Sequence, residues 1–471
     1  MRRGVHGWQQ WAPGWTRAPI GTVCQLINEK AFKPSDWGPD GLPIVRIQNL
    51  NDPDRPFNHS NAYVEDRYRI DTGELLFAWS GTPGTSFGAH IWARGPALLN
   101  QHIFRVIPKD GVVDKEFLRL AINERLAHLV AIAHGGAGLA HVTKPVFEQT
   151  EIVLPPLADQ RRIAAWVNAT STRSRAARSA LDAVPQLIER LQLSILAAAF
   201  RGDLTADWRA AHPDVEPASD LLKRIRAERR RRWKEAELAR LVARGKPPTD
   251  DRWKAKYKEP EPVDDSDLPG LPEGWCWASV DELALSLTYG TSAKTEDDSA
   301  GIPVLRMGNI RQGRLDCADL KSLPANHEEF PGLLLKAGDV LFNRTNSIEL
   351  VGKAAVYDGA PPVCSFASYL IRVRPAAFSG HLLAAFINSP FGRAWVADVA
   401  SQQVGQANIS GQKLRSLAVP VPPEGEAREL SERLARSETI GERLAASCED
   451  ATECLKVVEV AALAKAFRGE L

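Results

Sequence analysis

A seven-residue signature closes two separate parts of this chain, and it dictates most of what the chain can become. Ala198-Ala199-Phe200-Arg201-Gly202-Asp203-Leu204 returns 267 positions later as Lys465-Ala466-Phe467-Arg468-Gly469-Glu470-Leu471, and the double proline Pro155-Pro156 returns at the same interval as Pro422-Pro423. A double proline cannot continue a preceding helix but sits well just ahead of a new one. Between the first proline pair and its signature, apolar residues recur at gaps of three and four: Ile163, Trp166, Val167, Thr170, Ala177, Leu181, Val184, Ile188, Leu191, Ile195 and Ala198. That spacing makes a helix with one apolar stripe, roughly 65 Å long over residues 158–200 at 1.5 Å per residue. Such a helix cannot bury its stripe alone. The second run, with Leu430, Leu434, Ile440, Leu444, Ala451, Leu455, Val458 and Ala462, supplies the partner. Pro185 interrupts the first helix where the second has Thr452, so a kink or break near Val184 is expected in the first copy only.

The duplication extends to what precedes each helix. Residues 1–154 read as a mixed domain, with strands at 41–50, 75–79, 102–107 and 152–154 and a helix over 115–133. Gly274-Trp275 answers Gly14-Trp15 at an offset of 260, and residues 301–310 answer 41–50 at the same offset. Residues 336–342 answer 71–77 at 265, residues 371–375 answer 104–108 at 267, and Asn408-Ile409-Ser410 answers His141-Val142-Thr143 at 267. Strand residues match while loop residues diverge, as two copies of one scaffold with different surfaces would.

The expected fold class is therefore α+β: two tandem mixed α/β domains separated by two long helices that form an antiparallel coiled coil, a pseudo-twofold internal repeat. Its parts are residues 1–154, the long helix 155–204, a connector 205–270, the second domain 271–421 and the second long helix 422–471. A length of 471 residues agrees with several domains.

With 44% hydrophobic and 25% charged residues, substantial cores can form. There is no run of 18 apolar residues and no signal-peptide core at the start, so a cytoplasmic location without membrane contact is expected. The six cysteines form no CxxC pair and sit beside no histidines at metal spacing, so buried free thiols are expected and a metal site is not. Net charge is only +1, yet residues 219–258 hold 15 Lys or Arg against 6 Asp or Glu. Two readings of that segment stand: a solvated, charge-rich helix, or one that touches phosphates or an acidic partner. The proline-rich acidic run 259–265 behind it is expected to be extended and mobile.

Catalytic signatures are missing. Residues 81–86 have glycines but no lysine to reach a phosphate, and GxSxG and HExxH do not occur. Asn388-Ser389-Pro390-Phe391 resembles the base-holding loop of amino-methyltransferases but lacks its first proline; it reads as a helix-ending turn. The candidate residues are instead those suited to base edges and phosphates, since Arg pairs with guanine and Asn or Gln with adenine. In the first copy they are Arg46, Asn49, Asn51, Ser80, Thr82, Gln101, His102 and His141. In the second they are Arg306, Asn309, Arg311, Asn343, Arg344, Thr345, Asn346, Ser368, Tyr369, Gln402, Gln403, Gln406 and Asn408, with Arg229 and Arg230 in the connector.

Pro155-Pro156-Leu157-Ala158-Asp159-Gln160-Arg161-Arg162-Ile163, with its helix closing on Ala199-Phe200-Arg201-Gly202-Asp203-Leu204, resembles the central conserved region of type I restriction–modification specificity (S) subunits. Leu271-Pro272-Glu273-Gly274-Trp275-Cys276-Trp277 resembles the opening of their target recognition domains, and residues 335–347 resemble a strand and loop within one. The first domain departs from that opening, with Ala12-Pro13-Gly14-Trp15 in its place. The resemblance implies a non-enzymatic DNA-recognition subunit. Each recognition domain would read one half of a bipartite double-stranded DNA target, and the helix pair would set the spacer and dock two methyltransferase subunits. Restriction and translocase subunits would join these; S-adenosylmethionine, ATP and Mg2+ would be bound by partners and no cofactor by this chain. A catalytic fragment of a fused methyltransferase or nuclease, and a coiled-coil scaffold without a DNA role, are the alternatives.

Overall fold

The computed structural model describes residues 13–28, 30–52, 54–81, 87–132, 140–403 and 406–471. The chain divides into two compact units: one takes the chain up to Asp182 together with Cys448–Leu471, the other takes Ala183–Ser447.

In the first unit a four-stranded antiparallel sheet runs in the order Cys24–Ile27, Ile103–Pro108, Leu75–Ala78 and Gly88–Ile91. A second sheet orders Asn58–Ser60, Leu42–Val45, Ala97–Leu99 and Arg69–Ile70, with the middle pair parallel. Thr16–Pro19 pairs with Glu151–Leu154 and brings the domain's ends together beside Pro155. The second unit repeats the plan. Ala284–Tyr289, Leu370–Pro375, Asp339–Asn343 and Ala354–Tyr357 form the antiparallel sheet. Lys321–Leu323, Ile302–Leu305 and Ser365–Phe366 form the mixed one, again with one parallel pair, and Cys276–Ser279 pairs with Ala418–Val421. The duplication expected from matched offsets is thus a duplication of topology.

Two expected elements are shorter than their sequence pattern. The strand anticipated over 41–50 ends at Val45 and gives way to a helical turn, Ile47–Asn51; its counterpart ends at Leu305 before Met307–Asn309. The cause is an asparagine that reaches back: Asn49 Oδ1 accepts from the Arg46 N–H and Asn309 Oδ1 from the Arg306 N–H, a local bond that competes with the ladder. The helix anticipated over 115–133 is two helices, Lys115–Glu124 and Leu126–Ile132.

The long helices are Leu157–Phe200 and Glu424–Arg468. In the first unit Ile163 and Val167 share a core with Phe467, Arg178 pairs with Glu459, and Cys448 lies beside Leu181. Numbers rise along one helix as they fall along the other, so the pairing is antiparallel. The second unit has the same sense, with Phe200 in one core with Leu430 and Gly441 beside Ile188. Of the kink or break expected near Val184, the break does not occur: the first helix runs through Pro185. Proline removes the N–H that would bond the carbonyl four residues back, which is that of Leu181. The Cys448 thiol donates to that carbonyl at 3.4 Å. In the second helix Thr452 Oγ1 donates to the matching carbonyl, Cys448 O, at 2.9 Å.

The repeated signatures act as plugs. Phe467 packs on Phe117 of the first unit at 5.7 Å between ring centroids, and Phe200 packs on Phe386 of the second at 5.1 Å. The repeated Gly-Trp does similar work at each domain's start. Gly14 and Gly274 sit at φ +84° and +82°, where a Cβ would be strained. The turn aims Trp15 Nε1 at Asp159 (3.4 Å) and Trp275 Nε1 at Glu426 (2.9 Å), each in the first turn of the helix that follows its own domain.

The connector begins with two helices, Ala206–Ala211 and Ala218–Ala243. Ala218, Leu221, Leu222 and Ile225 are buried in the second unit's core, which makes the basic stretch an integral helix. Residues 259–265 have no regular secondary structure, and Glu259 pairs with Arg230. The cysteines are all free. Cys24 and Cys364 are buried, and burial pushes both thiols up to about 12. Cys317 and Cys454, however, are exposed, against the expectation of buried thiols throughout. Among the described residues no helix is long and apolar enough to cross a membrane, and no cluster of His, Cys, Asp and Glu could hold a metal ion.

Candidate nucleic-acid interface

In the second unit several loops meet where strand Ala284–Tyr289 ends. Gly290 permits the meeting: a Cβ there would lie 2.3 Å from the Phe366 carbonyl oxygen, so only glycine lets the backbones approach. Thr291 N–H donates to Phe366 O (2.9 Å) and Ser368 N–H to Thr291 O (2.8 Å), which fixes Ser368 and leaves the Tyr369 side chain 49% exposed. Arg344 N–H donates to Tyr369 O (3.0 Å), and Ile409 N–H donates to Arg344 O (2.9 Å). Thr345–Asn346 then pairs with Gln406–Asn408. These bonds bring the anticipated Arg344, Ser368, Tyr369 and Asn408 together.

A fifth residue was not anticipated. The Arg344 guanidinium lies 4.9 Å from the centre of the Tyr289 ring, and its Nη2 donates to Asn408 Oδ1 at 3.1 Å. Tyr289 is itself held, its hydroxyl oxygen accepting from Gly411 N–H at 2.7 Å. It is the last residue of strand Ala284–Tyr289, a segment with no matched pattern in the sequence. A half-buried, fixed guanidinium beside exposed aromatic rings and a half-buried amide suits planar acceptors such as base edges.

The first unit has the same backbone frame with other side chains on it. Trp79 N–H donates to His102 O (3.1 Å) and Val142 N–H donates to Trp79 O (3.0 Å), matching Arg344, Tyr369 and Ile409 bond for bond. Where the second unit has a guanidinium and a phenol, the first has an indole and an imidazole, in edge-to-face contact at 4.8 Å. Trp79 also stacks on Phe104 at 5.7 Å. His102 adopts φ +75°. Trp79 stands at the end of the 75–79 strand pattern and corresponds to Arg344 at the 265 offset.

Other anticipated residues serve the framework. Asn49 and Asn309 are buried, their amide nitrogens donating to carbonyls of Arg55 and Pro56, and of Asp316 and Asp319. Asn343 is buried with Nδ2 on Leu350 O; Ser80 and Thr345 are buried too. Committed to backbone groups or enclosed, these side chains do not present themselves to a base edge in this conformation. Asn346 Oδ1 accepts from Ser347 N–H. Arg46 lies over Trp37 at 5.6 Å, Arg306 pairs with Asp319 and Arg311 with Asp316. Gln101 and Gln406 are exposed. In the connector Arg229 faces Asp281, Arg230 faces Glu259 and Arg226 faces Glu282, so carboxylates of this chain meet much of the basic run. Thr82 and the side chains of Asn51, His141, Gln402 and Gln403 lie outside the described residues. Asn388 closes its helix as a turn residue, bonding both backbone groups of Ala354 as Asn123 does those of Ala89, and Ser389 caps the next helix.

Residues 13–173 match the family described as the type I restriction modification DNA specificity domain. The match continues along the chain: the EcoKI specificity subunit of Escherichia coli K12 is 23% identical over 97% of this chain and 89% of that protein. Residues 13–173 belong to that domain family, and the whole chain is similar to type I restriction–modification specificity subunits. The EcoBI specificity subunit of E. coli, another relative, is 22% identical over 100% of this chain and 89% of its own length. The fold is shared with solved structures. The HsdS subunit of Thermoanaerobacter tengcongensis superposes with a TM-score of 0.60 at 19% identity, covering 99% of each chain. A chain solved in work on assembly and conformational transition of the type I R-M system gives 0.65 at 19% identity, over 98% of this chain and 100% of that one.

Proposed function

We propose that each domain reads one half of a bipartite duplex DNA sequence and that the chain itself does no chemistry. The observation that carries this reading is the matched backbone frame with Arg344 and Tyr369 in one domain and Trp79 and His102 in the other. A duplicated scaffold with different donors at the same position is what two unlike half-sites require. The long helices set the spacer between half-sites and dock two methyltransferase subunits. Exposed apolar residues on them support docking, among them Leu191 (50% exposed) and Ile440 (56% exposed). Restriction and translocase subunits complete the assembly, which works in the cytoplasm; S-adenosylmethionine, ATP and Mg2+ are bound by those partners.

Replacing residues 1–154 with another recognition domain tests the modular part. Methylation mapping of the complex is expected to show one half-site changed and the other kept; a change in both would refute independence. Calorimetric titration of the isolated chain with S-adenosylmethionine is expected to show no binding. Clear binding would favour a catalytic fragment instead.

A further inference from the structure

We infer that Arg344 reads a guanine in the half-site taken by the second domain, with Tyr289 and Asn408 as positioning residues that fix its guanidinium plane. The inference rests on the proposed reading of that domain as half of a DNA reader. Three features of Arg344 carry it. First, the guanidinium is held at a face and at an edge, over the Tyr289 ring and on Asn408 Oδ1. Second, it pairs with no carboxylate among the described residues, whereas Arg226, Arg229 and Arg230 of the connector each face one. Third, no hydrogen bond from Nη1 to a described group is found, so the fork left for a base is the Nη1–Nη2 pair, while the enclosed Nε takes no part.

A cation meant for phosphate needs charge and reach, and a mobile lysine supplies both. Fixing the plane of an arginine matters when the target is a planar pair of acceptors, and guanine O6 and N7 are that pair in the major groove. Clamping also removes beforehand much of the side-chain entropy that binding would otherwise cost. Tyr289 is held in place by the Gly411 N–H on its hydroxyl, so the platform does not depend on DNA being present. At the matched position of the first domain, Trp79 has a single N–H and cannot donate twice to the same base. The two half-sites therefore differ at the base pair facing this frame.

The experiment assembles the full chain, with its methyltransferase subunits, on a library of duplexes randomised across both half-sites, and reads methylation at several salt concentrations. Arg344→Gln is expected to relax one G·C position in the second half-site by roughly ten- to a hundredfold. The first half-site and the salt dependence should stay as in the parent. Arg344→Lys, which keeps the charge and loses the fork, is expected to lose most of the same preference. Tyr289→Phe keeps the ring and retains the preference; Tyr289→Leu removes the platform and loses it at that same position. A loss spread evenly over all sequences, with a salt slope smaller by about one, marks a phosphate contact and overturns the inference. So does an Arg344→Gln complex with an unchanged second half-site, while the two-domain reading would survive. A parent complex that shows no two-part site overturns both.

Discussion

Glu426→Ala is expected to destabilise the second unit by about 3–5 kcal/mol, the scale for removing one partner of a buried charged pair. Glu426 is 0% exposed and accepts from Thr205 Oγ1 at 2.7 Å, Arg209 Nη2 at 2.9 Å and Trp275 Nε1 at 2.9 Å. One carboxylate thus ties the residue just past the first signature, the connector, the start of the second domain and the first turn of the second long helix. Alanine would leave a mostly enclosed guanidinium, an indole N–H and a hydroxyl without that acceptor. Glu426→Gln keeps the shape and an acceptor but loses the charge, at about 1–3 kcal/mol. The matched residue gives an internal control. Asp159 is partly exposed, takes Trp15 Nε1 at 3.4 Å and pairs with the exposed Arg162. Asp159→Ala is therefore expected to cost only about 0.5–1 kcal/mol, as for exposed pairs. Native-state hydrogen exchange of residues 275–279 and 424–434, beside 13–19 and 157–167, measures both losses locally. Equal losses would show that burial of the Glu426 cluster is not what holds the domain to its helix.

Which features were legible in the sequence follows from how far apart the interacting residues lie. Double prolines, the Phe-Arg-Gly signatures and the 267 interval are local or repeated patterns. They returned the architecture because each repeat packs in the same way, with Phe200 and Phe467 each plugging a domain core. Long-range partners were hidden. Arg226 and Arg229 meet carboxylates more than fifty positions away, at Glu282 and Asp281, so a run that looked like free positive charge is largely paired. Pro185 announced a break because its own helix had lost a bond, while the thiol that takes over part of that carbonyl's work lies on the other helix. Polar loop residues were the least legible. Asn49 and Asn309 have the composition of base readers and spend their amides on nearby carbonyls. Tyr289 carried no signal in the sequence and is the platform for Arg344.

Removing four residues from each long helix, at facing positions, is expected to shorten the accepted spacer while both half-sites stay the same. The positions are 175–178 and 456–459, which include the paired Arg178 and Glu459. Four residues carry about 6 Å of rise, against 3.4 Å per base pair, so the spacer should lose about two base pairs. Trimming both helices preserves their pairing, because the antiparallel sense removes the same length from each side of one contact. Trimming one alone would shift its stripe against the partner by about 40° of helix rotation and is expected to impair assembly. The decisive measurement therefore uses the doubly trimmed chain, in complex with its methyltransferase subunits, with methylation mapped across targets of varied spacer length. Because base contacts made by each domain specify its half-site, and geometry between the domains specifies the gap, the two properties should separate cleanly. Retention of the parental spacing by a well-assembled, doubly trimmed complex would mean that the helices pair for stability alone and that something else measures the distance along DNA.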